Sequence, residues 1–107
     1  MRIGLVCPYD LSRPGGVQDQ VIRLRRWIDE AGHEVKLIAP GDSDEPGFVS
    51  AGPATVIPAN GAATPVALSA SAGQRVIDAL RDVDLAHVHE PLMPQVSLAA
   101  LRRAPVP

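Results

Sequence analysis

The sequence is poor in the residues that carry the commonest chemistries. Cys7 is its sole cysteine, so no disulfide can form within the chain. Placed in an apolar run with nothing basic beside it, Cys7 reads as a buried structural thiol rather than a reactive one. Aromatic residues are reduced to Tyr9, Trp27 and Phe48, too few to build a stacking platform for bases. Lysine occurs once, as Lys36, and 10 basic residues against 12 acidic ones leave a formal charge of −2, so the chain has no basic field to draw in nucleic acid. No apolar stretch nears the roughly 20 residues that cross a bilayer, so any membrane contact is expected to be peripheral. Met1-Arg2-Ile3 leads straight into an apolar strand and Pro8, without the pattern of a secretory signal, and a cytoplasmic location is expected. The G-x-G-x-x-G fingerprint and the G-x-x-x-x-G-K-[ST] loop are both missing, which removes the usual signatures of dinucleotide binding and ATP hydrolysis.

What is present reads as one α/β domain. Residues 2–7 form a nearly continuous apolar run bounded by Pro8, the pattern of a strand buried on both faces of a parallel sheet. Val17, Val21, Leu24, Ile28 and Ala31 recur at helical spacing and predict an amphipathic helix. Gly32 ends it at the position after the cap, and residues 34–39 supply a second strand, completing a βαβ unit. Residues 40–52, rich in Gly, Pro and acidic side chains, are expected to be an exposed loop without function. Residues 55–57 predict a third strand, Asn60-Gly61 a turn, 74–81 a second helix, 85–89 a fourth, buried strand, and 94–102 a third helix. Strands alternating with helices give a doubly wound parallel sheet of Rossmann-like type. The closing residues 103–107 resemble the link between a helix and a next strand, so the chain is expected to be a piece of a larger domain.

The most informative feature is Pro14-Gly15-Gly16-Val17-Gln18, a glycine turn opening directly into the first helix. Two glycines allow positive φ and a close backbone approach, and the helix start aims its partial positive charge at the same point, which together describe an anion site for a phosphate or sugar diphosphate. Ligands of open α/β sheets bind beyond the carboxyl ends of the strands. Tyr9 and Asp10 follow the first strand there, Asn60 the third, and His89-Glu90-Pro91 the fourth. His87 and His89, two apart in a strand, share a face; with no second cysteine and only His33 besides, a metal site is not expected. Arg23, Arg25 and Arg26, beside Trp27, read as a solvated helix face.

Taken together, residues 1–9, 14–18, 31–35, 58–61 and 87–91 resemble, in order and spacing, the N-terminal domain of GT-B fold retaining glycosyltransferases, and within them the bacterial phosphatidyl-myo-inositol mannosyltransferases. The resemblance implies a two-domain enzyme that moves mannose from GDP-mannose to the inositol ring of a membrane phospholipid, with retention and without a metal or a separate cofactor. Residues 1–107 would be part of the acceptor-side domain, the C-terminal nucleotide-sugar domain and the catalytic groups lying outside them. By the same resemblance Gly15 and Gly16 bind the donor phosphates, Tyr9, Gln18 and Asn60 line the acceptor pocket, and His89 and Glu90 shape the cleft floor. No catalytic residue is implied within the chain, which alone would be inactive. The chain departs from that pattern at Ala59, Pro65 and Ala67, and on the second helix, where Arg75 stands among Gln74, Ile77 and Asp78. Another lipid or glycan acceptor, and a stand-alone module binding a phosphorylated ligand without catalysis, therefore remain open from the residues alone.

Overall fold

A computed structural model describes residues 1–59, 62–67 and 69–107 of the chain. Its centre is a parallel four-stranded sheet in the order β3-β2-β1-β6, made of β1 (Arg2–Val6), β2 (Glu34–Ala39), β3 (Phe48–Ser50) and β6 (Leu85–Val88). β4 (Thr55–Ala59) and β5 (Ala62–Val66) form a separate antiparallel pair. The expected Rossmann-like α/β architecture with a parallel sheet is present, with two corrections to its strands.

The strand expected at 55–57 does not enter the sheet. It lies in β4, which among the described residues pairs with β5 alone. The prolines of this ribbon, Pro58 and Pro65, suit a two-stranded edge, where a missing N–H interrupts no central ladder. The sheet takes its outer strand instead from the segment read as loop, where Phe48, Val49 and Ser50 pair with Leu37, Ile38 and Ala39. Three residues flanked by Gly47 and Gly52 are too short for a period-2 pattern to show.

Alternation along β1 and β2 separates two half-cores. Leu5, Cys7, Val35, Leu37 and Ala39 point to the side covered by α1 (Gly16–Glu30), where Val21 is fully buried and Val17, Leu24 and Ile28 pack at the margin. Val6 and Ile38 point to the other side, against α2 (Ala70–Ala79), the 3-10 turn Leu80–Asp82 and α3 (Val96–Arg103), through Ala72, Val76, Leu80, Val96 and Ala100. Gly32 stands where the sequence places it, with φ 93°, and its N–H and that of His33 return to the carbonyls of Asp29 and Ile28. This double return closes the C-terminus of α1 and turns the chain into β2.

α2 starts earlier than its apolar spacing predicts, because the Ser69 hydroxyl accepts the N–H of Ser71 and caps a run of small residues. Two further expectations fail on burial. β6 is not buried on both faces: Leu85 is 38% exposed and His87 is exposed, since α1 lies over β1 and β2 and nothing among the described residues covers that side of β6. Arg25 is not part of a solvated face. Four residues after Val21 it shares the buried stripe, and its Nε donates to Glu45 Oε2 at 3.1 Å, tying the helix to the loop before β3. Arg23 and Arg26 are exposed, as read.

Candidate functional site

The parallel strands β2, β1 and β6 are neighbours, so their carboxyl ends lie on one edge of the sheet, where an open α/β sheet forms its crevice, and the loops that leave them carry the polar side chains. The Cys7 N–H donates to the Ile38 carbonyl, extending β1 by one residue, and burial pushes the Cys7 thiol up to about 12, with the Glu90 charge adding to the rise. Tyr9 makes a bridge to Val66, and the Asp10 N–H donates to the Pro65 carbonyl at 3.0 Å, so the β4–β5 ribbon is anchored at the mouth of β1. Asp10, 9% exposed, accepts from both the backbone N–H and the hydroxyl of Ser12 at 2.9 and 2.7 Å. Its carboxylate orders the first residues of the loop that runs on to the glycine turn.

That turn differs from expectation in its backbone. Gly15, the N-cap residue of α1, has φ 173° and ψ 156°, an extended conformation open to any residue, and neither it nor Gly16 is among the glycines with positive φ. What the two glycines supply is space. A Cβ on Gly15 would fall 2.2 Å from the Gln18 Oε1, because the Gln18 side chain folds back over the cap, whereas a Cβ on Gly16 would meet no atom within 4 Å. No side chain caps the helix, so its first-turn N–H groups are left without a side-chain acceptor. Gln18 itself is buried rather than presented to solvent, and Asp19 places a negative charge in the same turn.

Across the crevice, the His89 N–H donates to the Val6 carbonyl and the His89 carbonyl accepts the Ser97 hydroxyl at 2.6 Å. The rings of His87 and His89 stand 4.8 Å apart, confirming that they share a face. Burial holds the His89 imidazole below its ordinary proton affinity, and the neighbouring His87 adds to the effect; its Nε2 is buried and meets no partner among the described residues. Glu90 adopts φ 48°, in the left-handed region. Burial raises the Tyr9 phenol, and the Glu90 charge raises it further.

The structure thus gathers Tyr9, His89 and Glu90 at adjacent strand ends, and Gly15 with Gln18 at the helix start. Among the described residues no hydrogen bond joins these two groups. Asn60 lies outside the described residues. Sequence reading placed Asp10 beyond the first strand without giving it a role, and passed over Gly41 and Ser97; only Asp10 carries a local sign, the Asp-x-Ser spacing of a side-chain turn. A groove of about 440 Å³ lined by Gly16, Asp19, Gln20, Arg23, Leu24 and Trp27 runs along the outer side of α1, sharing only Gly16 with the crevice, and the site is assigned to the strand ends, where the polar groups converge.

Residues 14–107 match the sequence profile of Glycosyltransferase Family 4. The chain belongs to that family. Three of the proteins it is similar to are each named phosphatidyl-myo-inositol mannosyltransferase. The protein of Propionibacterium freudenreichii subsp. shermanii is 41% identical over 113 aligned residues, covering 94% of this chain and 30% of that protein. Those of Mycolicibacterium smegmatis and Mycobacterium leprae are each 40% identical over all of this chain, covering 29% and 30% of their own lengths. The family 4 chain therefore spans about 30% of the length of the curated relatives it matches. The profile takes in the glycine turn, both later helices and the His89-Glu90 strand end, while Tyr9 precedes it. No helix among the described residues is long and apolar enough to cross a membrane.

Proposed function

We propose that the full-length protein transfers a hexose, mannose carried by GDP-mannose, to a phosphatidylinositol-type lipid, with retention of configuration at the transferred carbon and without a metal. Residues 1–107 supply the acceptor-side half of the cleft, and a C-terminal domain supplies the nucleotide-sugar pocket. The observation that carries this reading is the start of α1: an uncapped helix N-terminus beside a glycine whose Cβ position is free of every neighbour, in a chain 40% identical to proteins named for that transfer. A diphosphate leaving group gains negative charge as its bond to the sugar breaks. Fixed backbone N–H groups at Gly15 and Gly16 stabilise that charge without reorganising.

In this reading Tyr9, Gln18 and Asn60 contact the acceptor headgroup, and His89 and Glu90 form the floor between acceptor and donor. The orphaned Nε2 of a neutral His89 gains a partner when a hydroxyl enters the cleft. Because both halves must hold the reacting groups together, residues 1–107 alone bind weakly and do not catalyse transfer. A lipid acceptor places the protein at the inner face of the plasma membrane, attached peripherally.

Gly16→Val in the full-length protein tests the assignment. The side chain enters empty space, so thermal stability is expected to hold, while donor binding measured by calorimetry and transfer from GDP-mannose both fall by about 100-fold or more. Unchanged turnover would remove the loop from the donor site. Gln18→Ala and Asn60→Ala are expected to weaken acceptor use and to leave donor affinity intact; loss of donor affinity instead would contradict the acceptor-side assignment.

A further inference from the structure

Ser97 lies in the first turn of α3 with no exposed surface. A serine there commonly turns its hydroxyl back to its own helix. This one leaves the helix and donates to the His89 carbonyl, eight residues earlier, at 2.6 Å. α3 has no side-chain cap, so the hydroxyl is committed to the strand end rather than to the helix.

The His89 peptide is consequently held from two sides, by the Val6 carbonyl of β1 through its N–H and by Ser97 of α3 through its C=O. The next residue is Glu90, whose φ of 48° is disfavoured for a non-glycine residue and persists only where the surroundings over-determine it. Its carbonyl accepts the Met93 N–H at 3.0 Å, and the Gln95 N–H donates to Ala67, closing the turn that leads into α3. A strand end gripped in this way fixes where two neighbouring side chains leave the backbone, the His89 imidazole with its ring 4.8 Å from that of His87, and Glu90 directly after it.

We propose that Ser97 is a positioning residue for the cleft: by holding the His89 carbonyl, its hydroxyl sets where the His89 imidazole and the Glu90 carboxylate stand. This rests on the reading of the strand end as the cleft floor, and its test separates the two claims. Without the hydroxyl, the His89 carbonyl loses its partner in a buried place, the turn relaxes, and both side chains shift relative to Tyr9 and His87.

The test uses the full-length protein with isotope-labelled histidine, His33 at the far end of the sheet serving as an internal reference, and follows the His89 imidazole through a pH titration by NMR. In Ser97→Ala, His89 is expected to titrate closer to its ordinary 6.5 as its burial beside His87 loosens. Transfer kcat/KM is expected to fall about tenfold, through kcat more than through KM for the acceptor, since orientation and not contact is lost. Ser97→Thr, which keeps the hydroxyl, restores both readouts. If Ser97→Ala does not fold, Ser97→Cys, similar in shape and a weaker donor, is expected to give the same changes in smaller measure. A lowered melting temperature with the His89 titration and the kinetics unchanged would make Ser97 a packing residue and overturn the proposal. Should the wild-type protein transfer no hexose to phosphatidylinositol, the functional reading fails, and the His89 titration still decides whether Ser97 positions the strand end.

Discussion

The Asp10 carboxylate sits against the Cα of Gly41, so close that a Cβ on Gly41 would fall 2.5 Å from the Asp10 Cγ. Asp10 leaves β1 and Gly41 leaves β2, so this contact sets how tightly the two strand ends close at the mouth of the crevice. Gly41 also has φ 78°, a conformation that disfavours any side chain.

Gly41→Ala is therefore expected to destabilise the protein by about 2 kcal/mol, part from backbone strain and part from displacing the carboxylate. Combining it with Asp10→Ala should recover the steric part only. Urea unfolding of the two single variants and the double variant measures the coupling, and purely additive losses would show that the contact carries no energy.

Arg25 and Glu45 form the least exposed ion pair among the described residues, with side chains 9% and 19% exposed. Removing Arg25 leaves Glu45 only the longer contact with the exposed Arg26 at 3.8 Å, so Arg25→Ala is expected to cost about 1 to 2 kcal/mol and to loosen the loop before β3. Replacing both by apolar residues of similar size should cost much less. Because the pair is mostly shielded from solvent, 1 M salt should leave its contribution nearly intact, in contrast to the exposed Arg81–Asp78 pair.

His89 carries a pH signature. Burial and His87 keep its folded-state proton affinity below the ordinary 6.5, and unfolding restores it. As pH falls through 6.5 the unfolded chain binds the extra proton first, so stability is full above that value and declines below it. The exposed carboxylates Asp78 and Asp82 are held below their ordinary 3.8 by their partners, and their losses come only at lower pH. Unfolding free energies measured between pH 7.5 and 5 should slope downward in the wild type and be flatter in His89→Asn.

Cys7 should be inert in the native state. With its thiol raised to about 12 by burial, almost no thiolate exists at pH 8. A thiol-titrating disulfide reagent is expected to react at the rate of global unfolding and to show full reactivity in denaturant; fast native reaction would mean that β1 opens locally.

Legibility in the sequence followed the range of the interactions involved. Val17, Val21, Leu24 and Ile28 announced α1 because an amphipathic helix writes its buried face into its own spacing, and Gly32 announced its end because a left-handed residue is needed there. β3 left no such trace. Phe48 to Ser50 is a strand only because β2 offers it an edge, and the residues at 55–57, better strand formers by composition, pair elsewhere. The site divides the same way: its residue types stood in the sequence, whereas Gln18 folded over Gly15, the Asp10 contact with Gly41 and the Ser97 bond to His89 each join residues that no periodicity links.

By itself the sequence determined the first βαβ unit, the glycine turn at the head of α1, the α/β class and the kinship with family 4 glycosyltransferases, all of which rest on local pattern or on motif order. Only the tertiary structure decided that Gly15 and Gly16 do not take positive φ, that Arg25 is buried, that no described residue covers one side of β6, and that α3 grips the strand end at His89. Those outcomes depend on which surfaces are already occupied when a segment docks, and that is a property of the assembled layers, which no single segment encodes.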